Sequence, residues 1–251
     1  GMLRLSKKNV LVKKLAAVET LGETTVIFTD KTGTLTENKL QVTRIEYPGN
    51  GIDIEEKLKK KKFKEFKKNA NFDHIIKIGI LSNDAKIMEE EMEGDELDVS
   101  LARFIYDNDP ELYKEFIEKN RIHEDPFDSD SKFMGTIHEL GESLYIASKG
   151  AAEPILKRSV NYLEEGEKKK ISDDFREKWL NKNDELSAKG LKVIATAYRE
   201  ESTDKHDDLT SQDDFVENMI FTGFICFIDP AKTDVKDALE KCHKSGINVV
   251  M

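Results

Sequence analysis

The sequence lacks any long, uncharged apolar segment. A helix that crosses a bilayer needs about 18 or more consecutive apolar residues. No run in the 251 residues approaches that length. We therefore expect the chain itself to be soluble.

Cysteine and histidine are also scarce. The two cysteines, Cys226 and Cys242, form no C-x-x-C pair, and the five histidines are scattered without the spacing of metal ligands. We therefore expect no disulfide partner for either cysteine and a reducing, cytosolic compartment.

A surplus of positive charge is missing as well. Lysine and arginine total 40 against 50 aspartates and glutamates, which gives a net charge of −10. Because nucleic-acid binding depends on a basic surface, this balance argues against a nucleic-acid partner. The locally basic residues 55–68 leave a nucleic-acid or lipid surface as an alternative. The acids and sparse apolar residues of this stretch favour a solvated helix face.

What the chain does contain begins with a short apolar strand and a polar loop. Val26–Phe28 predicts a buried parallel strand, and Gly33 predicts the loop beyond its carboxyl end. Asp30 then lies at the strand tip, in the crevice where open α/β sheets bind ligands. A carboxylate there can attack phosphorus and become an aspartyl-phosphate, if Lys31, Thr32 and the Gly33 N–H neutralise the phosphate charge.

Residues 30–36 spell DKTGTLT, which resembles the phosphorylation signature of the P-type ATPases, a family of membrane pumps. Residues 9–22, which include VETLG at 18–22, resemble the segment before that signature in the calcium- and sodium-pump-like branch. The resemblance implies a haloacid-dehalogenase-like, Rossmann-type phosphorylation domain in which Asp30 accepts phosphate, with Asp30 and Thr32 as Mg²⁺ ligands. Phosphatases of that superfamily carry a second Asp where Thr32 stands, so a longer-lived aspartyl-phosphate is expected here.

Two further segments resemble the family's adenine pocket. Residues 94–98, GDELD, resemble an element that opens a helix, which implies that Asp98 contacts adenine; a charged helix start is the alternative. Residues 126–134 imply that Phe127 stacks on the base and Lys132 lies beside it, with Ser129 in place of the family's arginine. By residue type alone, Phe127 could equally belong to the core.

Three more positions carry the resemblance. Lys149 and Gly150 resemble the family's KGA element in the ATP site: a predicted strand ends at Ser148, Lys149 lies at its tip, and Gly150 permits close backbone approach. Lys192 stands where the family has an arginine that bridges the ATP phosphates. Lysine keeps the positive charge of that arginine but lacks its planar fork. Asp229 opens residues 229–232, which resemble the family's hinge element, and we place it with the nucleotide-binding residues.

Hydrophobic periodicity predicts the other elements. Helices are expected at residues 3–21, 75–81, 175–187 and through Ala238 to Gly246; strands at 42–47, 133–138, 144–148, 191–198 and 221–228; a turn at 88–95; and a loop at 201–214. The strand at 221–228, the helix after it and a strand at 247–250 predict a β-α-β unit.

These patterns predict an α/β protein with an interrupted phosphorylation domain, residues 1–40 and 228–251. The insertion, residues 41–227, is expected to be an α+β nucleotide-binding domain whose antiparallel sheet is flanked by helices. Gly1-Met2 resembles an expression scar, and the chain ends at Met251 before the family's later magnesium and phosphate loops. We therefore expect an excised cytosolic piece of a multi-pass membrane protein, which binds nucleotide without turnover.

The implied function is ATP-driven transport of an inorganic cation, with ATP and Mg²⁺ as ligands and γ-phosphoryl transfer to Asp30. The cation itself would be bound by a membrane domain that is absent from this sequence. Two other classes stay open: a soluble phosphatase of the haloacid-dehalogenase type, and a non-catalytic, nucleotide-binding regulatory module.

Overall fold

The computed structural model describes residues 22–54, 60–88, 91–210 and 214–251. The predicted helix at 3–21 and the VETLG match therefore lie outside the described residues, apart from Gly22. The described chain forms two compact units, one of residues 22–38 with 229–251 and one of residues 39–228. We call them the small unit and the large unit.

The small unit is built around two parallel strands. β1 (Val26–Phe28) pairs with β13 (Asn248–Val250), and α8 (Val235–Lys244) precedes β13 in the chain. The predicted parallel strand is confirmed, but its predicted burial is wrong, because Phe28 is 81% exposed. A two-stranded sheet is too small to cover both faces of β1. The haloacid-dehalogenase-like identity of this unit stays a prediction.

The large unit is organised by a nine-stranded, mostly antiparallel sheet. The strands are β2 (Gln41–Tyr47), β3 (Asn50–Asp53), β6 (Arg121–Asp125), β7 (Phe133–Leu140), β8 (Ser143–Gly150), β9 (Ser159–Glu164), β10 (Glu167–Lys170), β11 (Lys192–Ser202) and β12 (Met219–Ile228). Their spatial order is β10-β9-β12-β11-β8-β7-β6, with β2 on β12 and β3 on β2. The predicted antiparallel sheet is confirmed.

Strand β12 holds the centre of this sheet. One side pairs with β11, while the other pairs with β9 near Met219 and with β2 from Phe224 to Ile228. The predicted β-α-β unit is therefore wrong, since β12 and β13 lie in different sheets. β12 is buried from Met219 to Phe227, so its apolar run reflects sheet neighbours and two covered faces rather than a parallel fold.

Helices cover both faces of the large sheet. They are α1 (Lys60–Phe66), α2 (Ala70–Leu81), α3 (Glu96–Asn108), α4 (Pro110–Ile117), α5 (Ala152–Arg158), α6 (Asp173–Ala188) and α7 (His206–Thr210). One core cluster packs α1 to α4 against one face, through residues such as Phe72, Leu101 and Tyr145. A second packs α5 to α7 against the other face, through Ile146 and Trp179. Tyr145 and Ile146 are neighbours in β8, so the two cores follow the period-two alternation of a strand.

Side-chain caps explain where several helices begin. The oxygens of the N-cap residues accept hydrogen bonds from backbone N–H groups in the first turn. These caps are Asn69 for α2, Asp95 for α3, Asp109 for α4 and Ser172 for α6. At the other end of α6, Gly190 adopts a φ of +81°, the left-handed conformation in which a glycine commonly ends a helix.

Two predicted irregular segments contain regular structure. The turn predicted at 88–95 overlaps the last residue of β4 (Lys86–Met88) and all of β5 (Glu91–Glu93), two short strands that pair with each other. The loop predicted at 201–214 includes the end of β11 and helix α7, because Leu209 is buried in the second core and gives this polar segment an apolar anchor. The basic stretch contains helix α1, anchored by the fully buried Phe63.

Cys226 and Cys242 are both free thiols. Burial raises the pKa of Cys226 to about 12. Across the described ranges, no helix combines the length and apolar character that a bilayer crossing requires.

Two buried histidines predict how the stability of the large unit depends on pH. Burial is the main cause that lowers the pKa of His74 and of His138 from 6.5 to about 4. Nε2–H of His138 donates to the Leu81 carbonyl at 3.1 Å. Because both imidazoles are neutral when folded, their contribution to stability is present above pH 6.5 and is lost as the pH falls toward 4.

We expect the free energy of unfolding to fall by about 2 kcal/mol per histidine between pH 7 and pH 5. Urea titrations followed by the fluorescence of Trp179, the single tryptophan, measure this loss in the large unit. His138→Gln should remove about half of it, and His206→Gln, at an exposed position, should leave it unchanged. If the free energy of unfolding of His138→Gln fell between pH 7 and pH 5 by as much as that of the wild type, this account would be contradicted.

Candidate phosphorylation and nucleotide sites

The first candidate site is the loop that follows β1 in the small unit. Asp30 is exposed two residues after the strand, and its Oδ1 accepts a hydrogen bond from Lys31 N at 2.7 Å. Lys31 and Thr32 are exposed as well. The three residues predicted to act in phosphoryl transfer are therefore consecutive and accessible to a ligand.

This loop is closed by its own residues. Thr36 N donates to Lys31 O at 3.2 Å, and Gly33 N donates to Thr36 Oγ1 at 3.2 Å. Gly33 has a φ of +77°, which glycine adopts without the strain that a Cβ would cause. The sequence thus fixes a tight loop directly after the carboxylate.

Residues 229–232, at the start of the second chain segment of the small unit, bond to this loop. Asp229 Oδ2 accepts a hydrogen bond from Thr36 Oγ1. Lys232 donates to the Gly33 carbonyl through Nζ at 2.7 Å and to the Leu35 carbonyl through its backbone N at 2.9 Å. Asp229 therefore lies beside the Asp30 loop in the small unit, whereas the other residues predicted to bind nucleotide belong to the large unit.

The second candidate site is a cavity of about 300 Å³ in the large unit. It brings together five residues that the sequence predicted to bind nucleotide, although they come from four separate segments. These five are Asp98, Phe127, Lys149, Gly150 and Lys192, and the lining is completed by Asp84, Asp95, Leu97, Met134 and Ile194. Lys132 is not among the lining residues.

Lys149 is buried inside the sheet. The prediction that it lies at a strand tip is wrong, because β8 continues to Gly150 and Lys149 pairs with Met134 on one side and Thr196 on the other. Its ammonium forms an ion pair and hydrogen bond with Asp98 Oδ1. Burial lowers the pKa of Lys149, and the charge of Asp98 opposes that shift.

Asp98 is held by two donors. Its Oδ1 accepts from Lys149, and its Oδ2 accepts from the backbone N of Asp84 at 2.9 Å. It lies in the first turn of α3, where a carboxylate is also favoured by the helix dipole. Asp98 therefore fits both interpretations of its sequence, because it is a charged residue at the start of a helix and also lines the cavity.

Phe127 is 63% exposed and lines the cavity, so it does not belong to the hydrophobic core. The next residue, Asp128, orders the loop: its Oδ1 accepts from Ser131 N at 2.9 Å and from Asp130 N at 3.0 Å. These backbone donors hold the pKa of Asp128 below its usual value. An exposed aromatic ring is thus presented by a tightly bonded loop.

Gly150 is required by the close approach of β7. A Cβ at this position would lie 2.5 Å from both the Lys132 carbonyl oxygen and the Phe133 Cα. Ala151 N donates to the same carbonyl at 2.8 Å, and Lys132 itself has a φ of +60°. Lys132 thus contributes its backbone to the wall beside the cavity, which confirms the expected close backbone approach at Gly150.

The sequence assigned no binding role to five other lining residues, which are Asp84, Asp95, Leu97, Met134 and Ile194. Ile194 could have been found from Lys192, because alternate residues of a strand face the same side. Asp84 carried no such signal, since it lies in the turn between α2 and β4 and is joined to Asp98 through a backbone N–H.

Comparison with known proteins gives consistent matches over the whole chain. The family model for the cytoplasmic N domain of P-type ATPases matches residues 71–234. The chain is 36% identical to calcium-transporting ATPase 1 of Bacillus cereus and 34% identical to a calcium-transporting ATPase of Listeria monocytogenes, in both cases over 100% of its length. It is 29% identical, over 99% of its length, to the sodium/potassium-transporting ATPase subunit alpha of Hydra vulgaris.

The chain spans only part of these relatives. It covers 27% of the Bacillus protein, 28% of the Listeria protein and 26% of the Hydra protein. The relatives therefore contain far more sequence than the two units described above.

The ion pair between Lys149 and Asp98 predicts a stability effect that an exposed lysine does not share. Lys149→Met should lower the free energy of unfolding by about 3–5 kcal/mol, because it leaves a buried carboxylate without its counter-charge. Adding Asp98→Asn should recover part of the loss, which urea titration can measure. Lys192→Met is the matched control, since Lys192 lines the same cavity but is exposed. Equal losses of unfolding free energy in Lys149→Met and Lys192→Met would contradict the assignment of a buried ion pair to Lys149 and Asp98.

Proposed function

The chain belongs to the P-type ATPases, and from that premise we propose that it is the ATP-binding and phosphate-accepting portion of a cation-transporting pump. In this proposal the large unit is the nucleotide-binding domain, with bounds near residues 41–227, and the small unit is part of the phosphorylation domain. The observation that carries it is the cavity that combines an exposed aromatic ring, Phe127, with two lysines, Lys149 and Lys192.

The lining of the cavity fits a nucleoside triphosphate. The exposed ring of Phe127 offers a flat apolar surface on which a base can stack. Lys192 supplies a solvent-exposed positive charge for phosphate oxygens, while Lys149 contributes a buried one that Asp98 partly balances. Asp98 and Asp84 add acceptors for the amino group of a base, and adenine carries such a group. ATP is therefore the ligand that we assign to the cavity.

The small unit supplies the group that accepts phosphate. A carboxylate oxygen of Asp30 attacks the γ-phosphorus of ATP, the bond from that phosphorus to the β,γ-bridging oxygen breaks, and ADP leaves. Lys31 and the Thr32 hydroxyl stabilise the charge on the transferred phosphoryl group. The bracing of the loop by Asp229 and Lys232 keeps Asp30 in one place during this step.

The exposed oxygens of Asp30 and Thr32 also fit a magnesium ion, which prefers oxygen ligands and is bound by one or two protein groups together with phosphate. When bound there, Mg²⁺ would neutralise part of the phosphate charge. Thr32 has no carboxylate that could activate a water molecule, so the aspartyl-phosphate should persist longer than in a phosphatase.

We further propose that the whole protein is a multi-pass membrane protein with this portion in the cytoplasm, and that it transports an inorganic cation. This rests on the names of its relatives, which are calcium-transporting and sodium/potassium-transporting ATPases. Residues that bind the cation would lie in the additional sequence that such relatives contain.

The assignment of Phe127 predicts a loss of ATP affinity on truncation of the ring. Phe127→Ala should raise the Kd for ATP by about 5- to 150-fold, since stacking on a base contributes about 1–3 kcal/mol. Isothermal titration calorimetry measures the change directly. Phe28→Ala is the matched control, because Phe28 is also an exposed phenylalanine but belongs to the small unit. An unchanged Kd in the Phe127 variant would remove the nucleotide site.

The assignment of Asp30 predicts the loss of one chemical product. In the full-length protein, Asp30→Asn should abolish the acid-stable, hydroxylamine-sensitive phosphoenzyme formed from γ-labelled ATP, because an amide cannot form the acyl-phosphate. ATP binding should persist, since Asp30 is not among the residues that line the nucleotide cavity. A variant that is still phosphorylated would assign the phosphate to another residue. A wild-type protein that is never phosphorylated would instead favour a purely regulatory nucleotide-binding module.

A further inference from the structure

Arg121 lies in β6 and does not line the nucleotide cavity, yet it makes four polar contacts beside it. Nη1 donates to Asp84 Oδ1 at 2.6 Å and to Glu124 Oε2 at 2.7 Å. Nη2 donates to the backbone carbonyls of Leu81 at 3.2 Å and Asn83 at 2.7 Å. Three of the four acceptors belong to residues 81–84, which are the last residue of α2 and the turn that follows it.

This turn continues into the cavity through a chain of hydrogen bonds. Its backbone N–H at Asp84 donates to Asp98 Oδ2, and the other oxygen of Asp98 accepts from the ammonium of Lys149. Asn83 strengthens the same link, because its Nδ2 donates to the backbone carbonyl of Asp98 at 3.0 Å. The orientation of the Asp98 carboxylate therefore depends on the position of the turn.

We propose that Arg121 is a positioning residue for the nucleotide site: by holding the turn at residues 81–84, it orients Asp98 and, through Asp98, the buried ammonium of Lys149. This inference rests on the proposed function of the cavity as an ATP site. Arg121 itself touches neither ATP nor any reacting atom in this arrangement.

The chemistry of the side chain explains why arginine suits this position. The rigid fork of a guanidinium can bond two backbone carbonyls and two carboxylates at once, whereas lysine offers one compact ammonium. The carbonyls of Leu81 and Asn83 lie at and just beyond the end of α2, where backbone acceptors lack partners within the helix. Arginine thus satisfies the helix end and fixes the turn in the same set of contacts.

Loss of Arg121 can weaken ATP binding in a second way, through charge, which the experiment must separate from the position of the turn. Arg121 also neutralises Asp84, whose carboxylate borders the cavity, so its loss could weaken ATP binding through charge alone. Asp84→Asn removes that charge but keeps the backbone N–H that bonds Asp98. In the Asp84→Asn background, the unpaired Asp84 carboxylate no longer contributes to the effect of Arg121→Met. Arg121→Lys, which keeps the positive charge but not the fork, then separates the position of the turn from the charge of Arg121 itself.

The experiment measures the Kd for ATP with the full 251-residue chain at a temperature where every variant is folded. Arg121→Met should raise the Kd about tenfold, which corresponds to the loss of about one charge-assisted hydrogen bond. Arg121→Lys should cause a smaller rise, and the effect of Arg121→Met should persist when Asp84→Asn is also present. Arg103→Met is the matched control, because Arg103 is exposed on α3 and does not line the cavity.

A second readout does not depend on ATP. The pKa of the Lys149 ammonium, followed by NMR, reports its contact with Asp98; Asp84 and Asp95 are the other acidic groups that act on it. Adding Arg121→Met to Asp84→Asn should lower this pKa, because a displaced Asp98 stabilises the charged lysine less. A loss of global stability alone would leave the pKa of the folded protein unchanged.

Two outcomes would overturn the inference. One is an unchanged ATP affinity in Arg121→Met while Phe127→Ala weakens binding, and the other is full recovery of affinity when Asp84→Asn is added, which would assign the effect to charge. Failure of the wild-type protein to bind ATP would instead remove the proposed function, and the pKa of Lys149 would still decide whether Arg121 positions that residue.

Discussion

The arrangement of the large unit depends on how it accommodates one buried positive charge. Lys149, the penultimate residue of β8, is buried and has a strand paired on each side, where an ammonium without a partner would be costly. Asp98 supplies the partner, which requires the first turn of α3 to lie directly over β8. Asp95 caps that helix and the turn at residues 81–84 holds the carboxylate, so the walls of the cavity follow from satisfying this pair.

The sequence predicted several local features of both units well, because each is encoded by a few consecutive residues. The DKTGTLT segment indicated an exposed acid after a parallel strand, and glycines at positions 33 and 150 indicated a tight loop and a close backbone contact; the structure confirms each of these features. Phe127 was ambiguous from its residue type and was decided only by its exposure. The sequence could not reveal that α7 forms, since one buried leucine is a weak pattern within a polar stretch.

What the sequence could not predict was pairing between distant segments. The apolar run of β12 is compatible with a parallel or an antiparallel sheet. The choice is made by its sheet neighbours, which are the preceding strand β11 and the strand β2 from far earlier in the chain. The contacts of Arg121 with residues 81–84 and of Asp229 with Thr36 are of the same kind. Each joins groups whose spacing in the sequence carries no periodic signal.

The pairing of β2 with β12 also determines how the large unit would respond to mechanical load. Gln41, the first residue of β2, lies opposite Ile228, the last residue of β12, and the two strands are antiparallel. The polypeptide therefore enters and leaves the large unit at neighbouring points on a single pair of strands. Tension between these two points would peel the strands apart one rung at a time, which is a much weaker geometry than shearing all their hydrogen bonds together.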